Sequence, residues 1–226
     1  MNPTLHLSRP TAATILLELD GPPANGLGMA LRGQLADALV MINADVAVRA
    51  VVLTGRNGAF CAGDDLREAA GRGDGQLAAV LGFNVLMDQV AACRVPIIAA
   101  IDGWCLGGGL ELALSCDIRL ASARASFAAS GVNIGLMASV DRLPRLIGEA
   151  RAKAHLLTGA TFDPTRALAD GVVTAVHPAD ALLSEALTLA ARIASRAPLS
   201  VEATSADHAE AVAAFRAKRA GVFVRG

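Results

Sequence analysis

Two short glycine-containing segments could direct backbone N–H groups at a negatively charged oxygen. They are residues 59–66, with the sequence AFCAGDDL, and residues 104–111, with the sequence WCLGGGLE. Each follows an apolar run rich in β-branched residues and precedes a helix-like stretch, so each turn is expected to carry amides that lack an intrahelical acceptor. Two such amides converging on one crevice would stabilise an oxyanion.

The second segment contains three consecutive glycines, residues 107–109. Because glycine has no Cβ atom, a small group could approach the main chain here. If a helix begins near Gly108, its free amides and the positive end of its dipole favour an anion, and Glu111 falls in the first turn. A carboxylate would then lie beside an oxyanion site. The alternative is that the glycines only let a helix pack closely on a strand, with Glu111 complementing the dipole.

A succession of segments along nearly the whole chain resembles the crotonase family, also called the enoyl-CoA hydratase/isomerase superfamily. The matching segments are the two turns and residues 20–27, 115–119, 142–148, 156–159 and 167–173. The resemblance implies an α/β fold, a crotonase-like spiral of β-β-α units with perpendicular sheets and a helical C-terminal region. It also implies a homotrimer or a dimer of trimers. We expect an α/β core at 1–195 and a shortened helical C-terminal segment at 196–226.

The same resemblance assigns chemistry to both turns. It implies that the amides of Ala62 and Gly108 form an oxyanion hole for the thioester carbonyl of an acyl-CoA, with Glu111 as general acid and base. Coenzyme A enters as part of the substrate, and no separate cofactor or metal is implied. Lys218 would approach the CoA of a neighbouring subunit. The positions expected to contact the substrate are Ala24, Cys61, Gly63, Asp64, Leu66, Gly107, Gly131 and Lys218.

One position departs from the pattern of the two-glutamate hydratases in this family. Their second glutamate follows the pattern Phe-x-x-Pro, and the corresponding residues 127–131 end in Gly131. Glycine has no side chain that could carry a proton. Glu111 is therefore expected to act as the single general acid and base, which makes ordinary two-glutamate hydration unexpected.

Several other polar residues near the two turns have alternative interpretations. Asp64, Ser139 or Asp141 could supply a group in place of the missing glutamate. Asp64 could equally cap the helix that follows it, and Asp141 could equally be an N-cap or a solvated charge. Asp65 is interpreted as a structural carboxylate that accepts from nearby amides. Asn25 is expected to cap the first helix, the alternative being that it shapes the loop that the resemblance places on the adenine side of the site.

Three functions are compatible with this pattern. The first is an acyl-CoA enzyme with hydratase-like or double-bond isomerase chemistry, in which Glu111 moves the proton. The second keeps the oxyanion hole but hydrolyses or decarboxylates an acyl-CoA thioester, a reaction for which Gly131 is no obstacle. The third is a non-catalytic crotonase-fold protein that binds acyl-CoA or serves as an assembly subunit.

Composition narrows the class of protein. The chain has 226 residues, is 54% hydrophobic and carries a formal net charge of −1, which suits one sizeable core and gives no electrostatic reason to expect nucleic acid. Its amino terminus lacks a basic region followed by a long apolar stretch, and no run could span a bilayer, so we expect a cytoplasmic protein without membrane contact. The four cysteines form no Cys-x-x-Cys pair, which favours buried thiols over a zinc site.

Hydrophobic patterns predict the elements that position the two turns. Strands are expected at 14–19, 49–54 and 95–101, and helices at 31–42 and 77–90. This alternation is typical of an α/β core. The residues 72–75, with the sequence RGDG, are expected to form a surface connection. No histidine falls in either turn and no Gly-x-Ser-x-Gly elbow is present, which argues against a Ser-His-Asp hydrolase.

Overall fold

The computed structural model describes residues 3–136, 138–196, 214 and 217–219. The strands in these ranges are β1 (Thr4–Thr11), β2 (Thr14–Asp20), β3 (Ala50–Gly55), β4 (Ala59–Cys61), β5 (Ile97–Ile101), β6 (Trp104–Leu106), β7 (Ile118–Ser122), β8 (Ser126–Ala128) and β9 (Ala175–His177). The helices are α1 (Met29–Ala44), α2 (Leu66–Ala70), α3 (Gln76–Ala91), α4 (Gly108–Ser115), α5 (Arg142–Ile147), α6 (Glu149–Thr158), α7 (Pro164–Asp170) and α8 (Leu182–Ala194). Short 3-10 turns cover Gly73–Gly75 and Ser130–Ile134.

The strands form two sheets. The larger sheet has the order β1-β2-β3-β5-β7-β9, and the smaller has the order β4-β6-β8. β1 pairs antiparallel with β2, whereas the pairs from β2 to β9 in the larger sheet and both pairs in the smaller sheet are parallel. β3, β5 and β7 each lead into a short strand of the smaller sheet, after which the chain enters helical structure. This succession confirms the predicted spiral of β-β-α units.

The larger sheet is covered on both faces. The first five residues of β3 and all of β5 are buried, which is the continuous burial expected of parallel strands between two layers. One face packs against α1 and α3 in the main core, and the opposite face packs against α8. The α8 side chains in that second layer include Leu182, Ala186 and Ala190, which recur every four residues along one side of the helix.

Asn25 holds the chain between β2 and α1 in place, but it does not cap the helix. The prediction of capping is wrong, because α1 begins at Met29 after the N-cap Gly28. Asn25 is buried with a φ of 58°, and its Oδ1 accepts from the amide of Gly21 at 2.9 Å. Its Nδ2 donates to the carbonyl of Ala59 at 2.7 Å. The side chain therefore ties this turn to β4, which leads into the first glycine turn.

The predicted elements agree with the observed ones within a few residues. The strands expected at 14–19, 49–54 and 95–101 correspond to β2, β3 and β5, and the helices expected at 31–42 and 77–90 correspond to α1 and α3. The predicted C-terminal segment at 196–226 lies mostly outside the described residues. In the part of the chain that is described, no helix is both long and apolar enough to cross a membrane.

Candidate active site

The two glycine turns meet where the parallel strands β4 and β6 end. A Cβ atom added to Gly63 would lie 2.9 Å from the amide nitrogen of Gly108. A Cβ atom added to Gly108 would lie 3.5 Å from the amide nitrogen of Asp64 and 3.2 Å from Cζ of Phe83. The crevice between the turns is thus bordered by main chain, and glycine at both positions leaves it open to a small group.

The neighbouring glycines serve backbone geometry and packing. Gly107 has a φ of 51° and a ψ of −114°, a conformation that favours glycine, and its amide donates to the carbonyl of Ala128 at 2.8 Å. A Cβ atom on Gly109 would clash with the carbonyl of Cys61. Close packing of a helix on a strand end, the alternative interpretation of the three glycines, therefore applies to Gly109. α4 begins at Gly108, as predicted.

The amide of Ala62 is not a free donor. It donates a hydrogen bond to the carbonyl of Ala24 at 2.9 Å. The prediction that Ala62 contributes its N–H to an oxyanion hole is therefore wrong, because that N–H already has an internal acceptor. Ala24, predicted to contact the substrate, uses its carbonyl to hold this turn.

The peptide unit between Gly63 and Asp64 supplies the available amide of the first turn. Its carbonyl accepts from the amide of Leu27 at 2.7 Å. Because the C=O and N–H of a trans peptide point in opposite directions, the N–H of Asp64 points away from Leu27. In the described part of the chain, neither this amide nor that of Gly108 has a hydrogen-bond acceptor. Gly108 is the first residue of α4, so its N–H has no intrahelical partner.

Glu111 lies in the first turn of α4 and is buried, with 6% of its surface exposed. Its Oε1 accepts a hydrogen bond from Nη1 of Arg142 at 2.6 Å. Its Oε2 is buried and has no hydrogen-bond partner among the described residues. A buried carboxylate oxygen without a donor is costly, so this atom is the one available to a proton or a ligand.

Arg142 is a site residue to which the sequence analysis assigned no role. Its second amino group donates to Oδ1 of Asp88 at 2.6 Å, so the guanidinium bridges α3 and α4 from the start of α5. Burial lowers the pKa of Arg142, but hydrogen bonds to Asp88 and Glu111 outweigh it and raise the pKa, so the group stays charged. Arg142 is the first residue of α5, where a positive charge is unfavourable because the N-terminal end of the helix dipole is also positive. An arginine at this position in the sequence therefore suggests an acidic partner.

The carboxylate of Asp64 is bound by two arginines. Nη2 of Arg32 donates to Oδ1 at 2.6 Å, and Nη2 of Arg72 donates to the same oxygen at 2.8 Å. Nη1 of Arg72 also donates to Oδ2. Asp64 does not cap the following helix, because Asp65 is the N-cap of α2 and accepts from the amide of Arg67 at 2.9 Å. The structural role predicted for Asp65 is confirmed.

Main chain fills the space that a side chain at Gly131 would need. Gly131 lies in the turn Ser130–Ile134, and a Cβ atom on it would clash with the carbonyl of Leu136. The amide of Leu136 donates back to the carbonyl of Gly131 at 2.9 Å, which closes the turn. The hydroxyl of Ser130 faces the glycine turn instead, 3.2 Å from the place of a Cβ atom on Gly107.

The sequence profile described as enoyl-CoA hydratase/isomerase matches residues 10–221, which is most of the chain. The protein belongs to the enoyl-CoA hydratase/isomerase family. A relative named probable enoyl-CoA hydratase from Rhizobium meliloti is 42% identical over 186 residues, covering 80% of this chain and 71% of the relative. The 2,3-dehydroadipyl-CoA hydratase of Escherichia coli is 36% identical over 195 residues, covering 84% of this chain and 75% of the relative.

Solved structures of the family have the same fold. The crystal structure of an enoyl-CoA hydratase from Bacillus anthracis superposes with a TM-score of 0.91 at 32% identity, covering 97% of this chain and 98% of that one. The structure of Pseudomonas aeruginosa DspI gives a TM-score of 0.89 at 28% identity, covering 97% of this chain and 96% of that one. The crotonase fold predicted from the sequence is confirmed.

The carboxylates of Asp64 and Asp141, the two candidate replacements for the family's second glutamate, both pair with arginines. The Asp64 carboxylate is bound to its two arginines, as described above. The Asp141 side chain is 62% exposed and pairs with Arg145 at 3.0 Å, which agrees with the interpretation as a solvated charge. Ser139 is buried, with a φ of 67° and an Oγ that has no hydrogen-bond partner in the described ranges.

The remaining residues predicted to contact the substrate are Cys61, Leu66 and Lys218. Cys61 is buried, and burial raises the pKa of its thiol to about 12, so it is a packing residue of the first turn rather than a nucleophile. Leu66 begins α2 and is 56% exposed. Lys218 is exposed in the short stretch 217–219, and its approach to a neighbour's CoA stays a prediction. Within the described residues, no group of three or more His, Cys, Asp or Glu could hold a metal ion.

Proposed function

We propose that the protein acts on an enoyl-CoA thioester through an enolate, with Glu111 as its single general acid and base. The amides of Asp64 and Gly108 would bind the thioester oxygen, and coenzyme A would be part of the substrate. The observation that carries the proposal is that, among the described residues, neither the buried Oε2 of Glu111 nor the first amide of its helix has a hydrogen-bond partner. Family membership supports the class of substrate.

The two amides suit an enolate because its negative charge is concentrated on the former carbonyl oxygen. Removal of one such donor costs roughly 3 kcal/mol of transition-state stabilisation in other enzymes. Both donors here belong to the main chain, so most side-chain substitutions would leave them in place. Proline at position 64 would remove the N–H, and we expect Asp64→Pro to lower kcat far more than Asp64→Ala.

Glu111 would move the proton with its free oxygen, since Oε1 is held by Arg142. In the step we propose, Oε2 takes a proton from C2 of a 3-enoyl-CoA and the C–H electron pair enters the conjugated enolate. Return of the same proton at C4 gives the 2-enoyl-CoA. This isomerisation needs one carboxylate, which suits a site where the carbonyl of Leu136 takes the space of a side chain at Gly131.

Hydration is the second candidate, and the names of the relatives favour it. Here Oε2 of Glu111 would take a proton from water while the water oxygen adds to C3 of a 2-enoyl-CoA. The same carboxylic acid would then return its proton to C2. One carboxylate can complete this cycle if both transfers occur on the same face of the substrate. The enolate and the pair of amides are common to both reactions.

An assay of the purified protein distinguishes the candidates. We would test 3-enoyl-CoA, 2-enoyl-CoA, malonyl-CoA and β-hydroxyacyl-CoA of matched length with wild type, Glu111→Gln and a control, Glu149→Gln. Glu149 is a surface residue whose side chain is 78% exposed, so its substitution should change nothing. The proposal predicts isomerisation or hydration that Glu111→Gln abolishes.

Other outcomes of the assay would identify the alternatives. Turnover of malonyl-CoA or release of free CoA, with no change in the enoyl substrates, would indicate decarboxylation or thioester hydrolysis. Binding of CoA thioesters without any turnover would indicate a non-catalytic protein. The homotrimer or dimer of trimers is likewise a proposal, and light scattering of the full chain measures it.

A further inference from the structure

Asp64 has an amide that faces the crevice and a negatively charged side chain, although the proposed site binds a negatively charged oxygen. The carboxylate is attached to the same residue that would donate its N–H to an oxyanion. Two negative charges a few ångströms apart in a partly buried site repel each other strongly. An unpaired Asp64 carboxylate would therefore oppose the enolate that its own amide stabilises.

The contacts of this carboxylate remove that conflict. The side chains of Asp64, Arg32 and Arg72 are 17%, 8% and 10% exposed, so the three charges interact largely out of solvent. Arg32 approaches from α1, and Arg72 approaches from the connection between α2 and α3. Arg72 binds both carboxylate oxygens, and Arg32 binds Oδ1 at 2.6 Å. The charge of Asp64 is thereby neutralised and its side chain is held at the arginines.

Arg32 is itself fixed by the surrounding main chain. Its Nε donates to the carbonyl of Leu27 at 2.7 Å, and its Nη1 donates to the carbonyl of Ala79 at 2.9 Å. The guanidinium lies 5.0 Å from the centroid of the Phe83 ring, whose edge borders Gly108. Leu27 also donates to the carbonyl of the peptide that carries the Asp64 amide. Arg32 thus contacts the same residue that orients the proposed donor.

We propose that Arg32 and Arg72 are positioning residues that neutralise Asp64, so that residue 64 presents only its N–H to the thioester oxygen. This inference rests on the proposed function. In this inference the two arginines act electrostatically, and do not only hold the fold together. If the role is electrostatic, removing the negative charge of Asp64 should make the arginines dispensable.

The test is rescue by a second substitution. Arg72→Gln and Arg32→Gln are each expected to lower kcat/KM by about tenfold, mainly through kcat, because each removes one of the two positive charges that bind Asp64 and so makes the surroundings of its N–H less favourable to the enolate. Adding Asp64→Asn to either variant should restore kcat/KM to within about threefold of wild type. If each double variant is as slow as its single variant, or slower, the proposal is wrong.

A matched ion pair elsewhere provides the control. Arg56 binds Glu18 through two hydrogen bonds of 3.1 and 3.0 Å, and the Glu18 side chain is 18% exposed, close to the value for Asp64. Arg56→Gln should leave kcat/KM unchanged. Because Arg32 is buried, its substitution could prevent folding, and in that case Arg72→Gln with and without Asp64→Asn carries the test.

A spectroscopic readout separates this inference from the proposed function. We would record the infrared C=O stretch of carbonyl-labelled crotonyl-CoA bound to each variant. Wild type should lower the stretch relative to free ligand, Arg72→Gln should reduce that shift, and Asp64→Asn should recover it. Turnover in wild type without rescue in either readout overturns the inference alone. A protein that binds crotonyl-CoA without any carbonyl shift overturns both proposals.

Discussion

Arg142 donates a hydrogen bond of 2.6 Å to Oε1 of Glu111, while Oε2 of the same carboxylate remains buried without a partner in the described structure. The two oxygens of one side chain therefore have different environments. One is held by a charged donor that also binds Asp88 from another helix. The other has no donor among the described residues, which is the asymmetry that the proposed acid–base role needs.

Arg142→Gln should weaken both stability and turnover. The Glu111 side chain is 8% exposed, so loss of the guanidinium leaves a buried carboxylate without a counter-charge. We expect a loss of about 1–3 kcal/mol in the free energy of unfolding and a drop in kcat of at least roughly tenfold, since the carboxylate is no longer held in one orientation. Urea denaturation and steady-state kinetics measure the two effects.

Arg145→Gln is the matched control on the same helix. The Arg145 side chain is 77% exposed and pairs with the exposed Asp141, so its loss should change the free energy of unfolding by no more than about 0.5 kcal/mol. Equal effects of both substitutions would mean that the Glu111 pair has no special role.

Gly131→Ala should destabilise the protein by about 1–3 kcal/mol, because its Cβ atom would clash with the carbonyl of Leu136. By the same reasoning, Gly131→Glu should not create a second acid–base group without displacing this turn. Gly82→Ala is the control: Gly82 lies inside α3, and a Cβ atom there meets no atom of the described residues within 4 Å. It should stabilise by about 0.5–1 kcal/mol. A neutral Gly131→Ala would show that the turn relaxes freely.

Asp170→Asn should destabilise the protein in a pH-dependent way. Burial alone raises the pKa of Asp170, but hydrogen bonds from Arg166 and His155 outweigh it and leave the pKa below its ordinary value of 3.8. A depressed pKa gives stability that is present above pH 3.8 and lost as pH falls through the folded-state value. We expect a cost of about 1–3 kcal/mol near pH 7 that shrinks in acid, measured by denaturation across pH. A cost independent of pH would contradict this.

Local patterns of the sequence were sufficient to predict β2, β3, β5, α1, α3 and the start of α4. Apolar runs and helical spacing identify β3, β5, α1 and α3, because continuous burial and amphipathic periodicity are properties of a few adjacent residues. Asp65 was correctly interpreted, for the same reason, as a structural carboxylate that accepts from nearby amides. Glu111 in the first turn follows from the glycines that precede it.

Hydrogen bonds between residues distant in the sequence determine the parts of the site that local patterns could not predict. Ala62 and Asp64 are two residues apart in one turn, and the choice between their amides depends on carbonyl and amide partners at Ala24 and Leu27. Those partners belong to a segment that precedes the turn by more than thirty residues. The pairing of Arg142 with Glu111 spans 31 residues and requires α5 to pack beside α4.

Exchange of the C2 protons of a saturated acyl-CoA for deuterium tests the central claim most directly, because it reports enolate formation without any later step. Proton NMR in D2O would follow butyryl-CoA with wild type and Glu111→Gln. We predict exchange catalysed by wild type and slowed by about 10²–10⁴-fold in Glu111→Gln. Equal exchange in both proteins, or none with wild type, would contradict the assignment of Glu111 as the group that moves the proton.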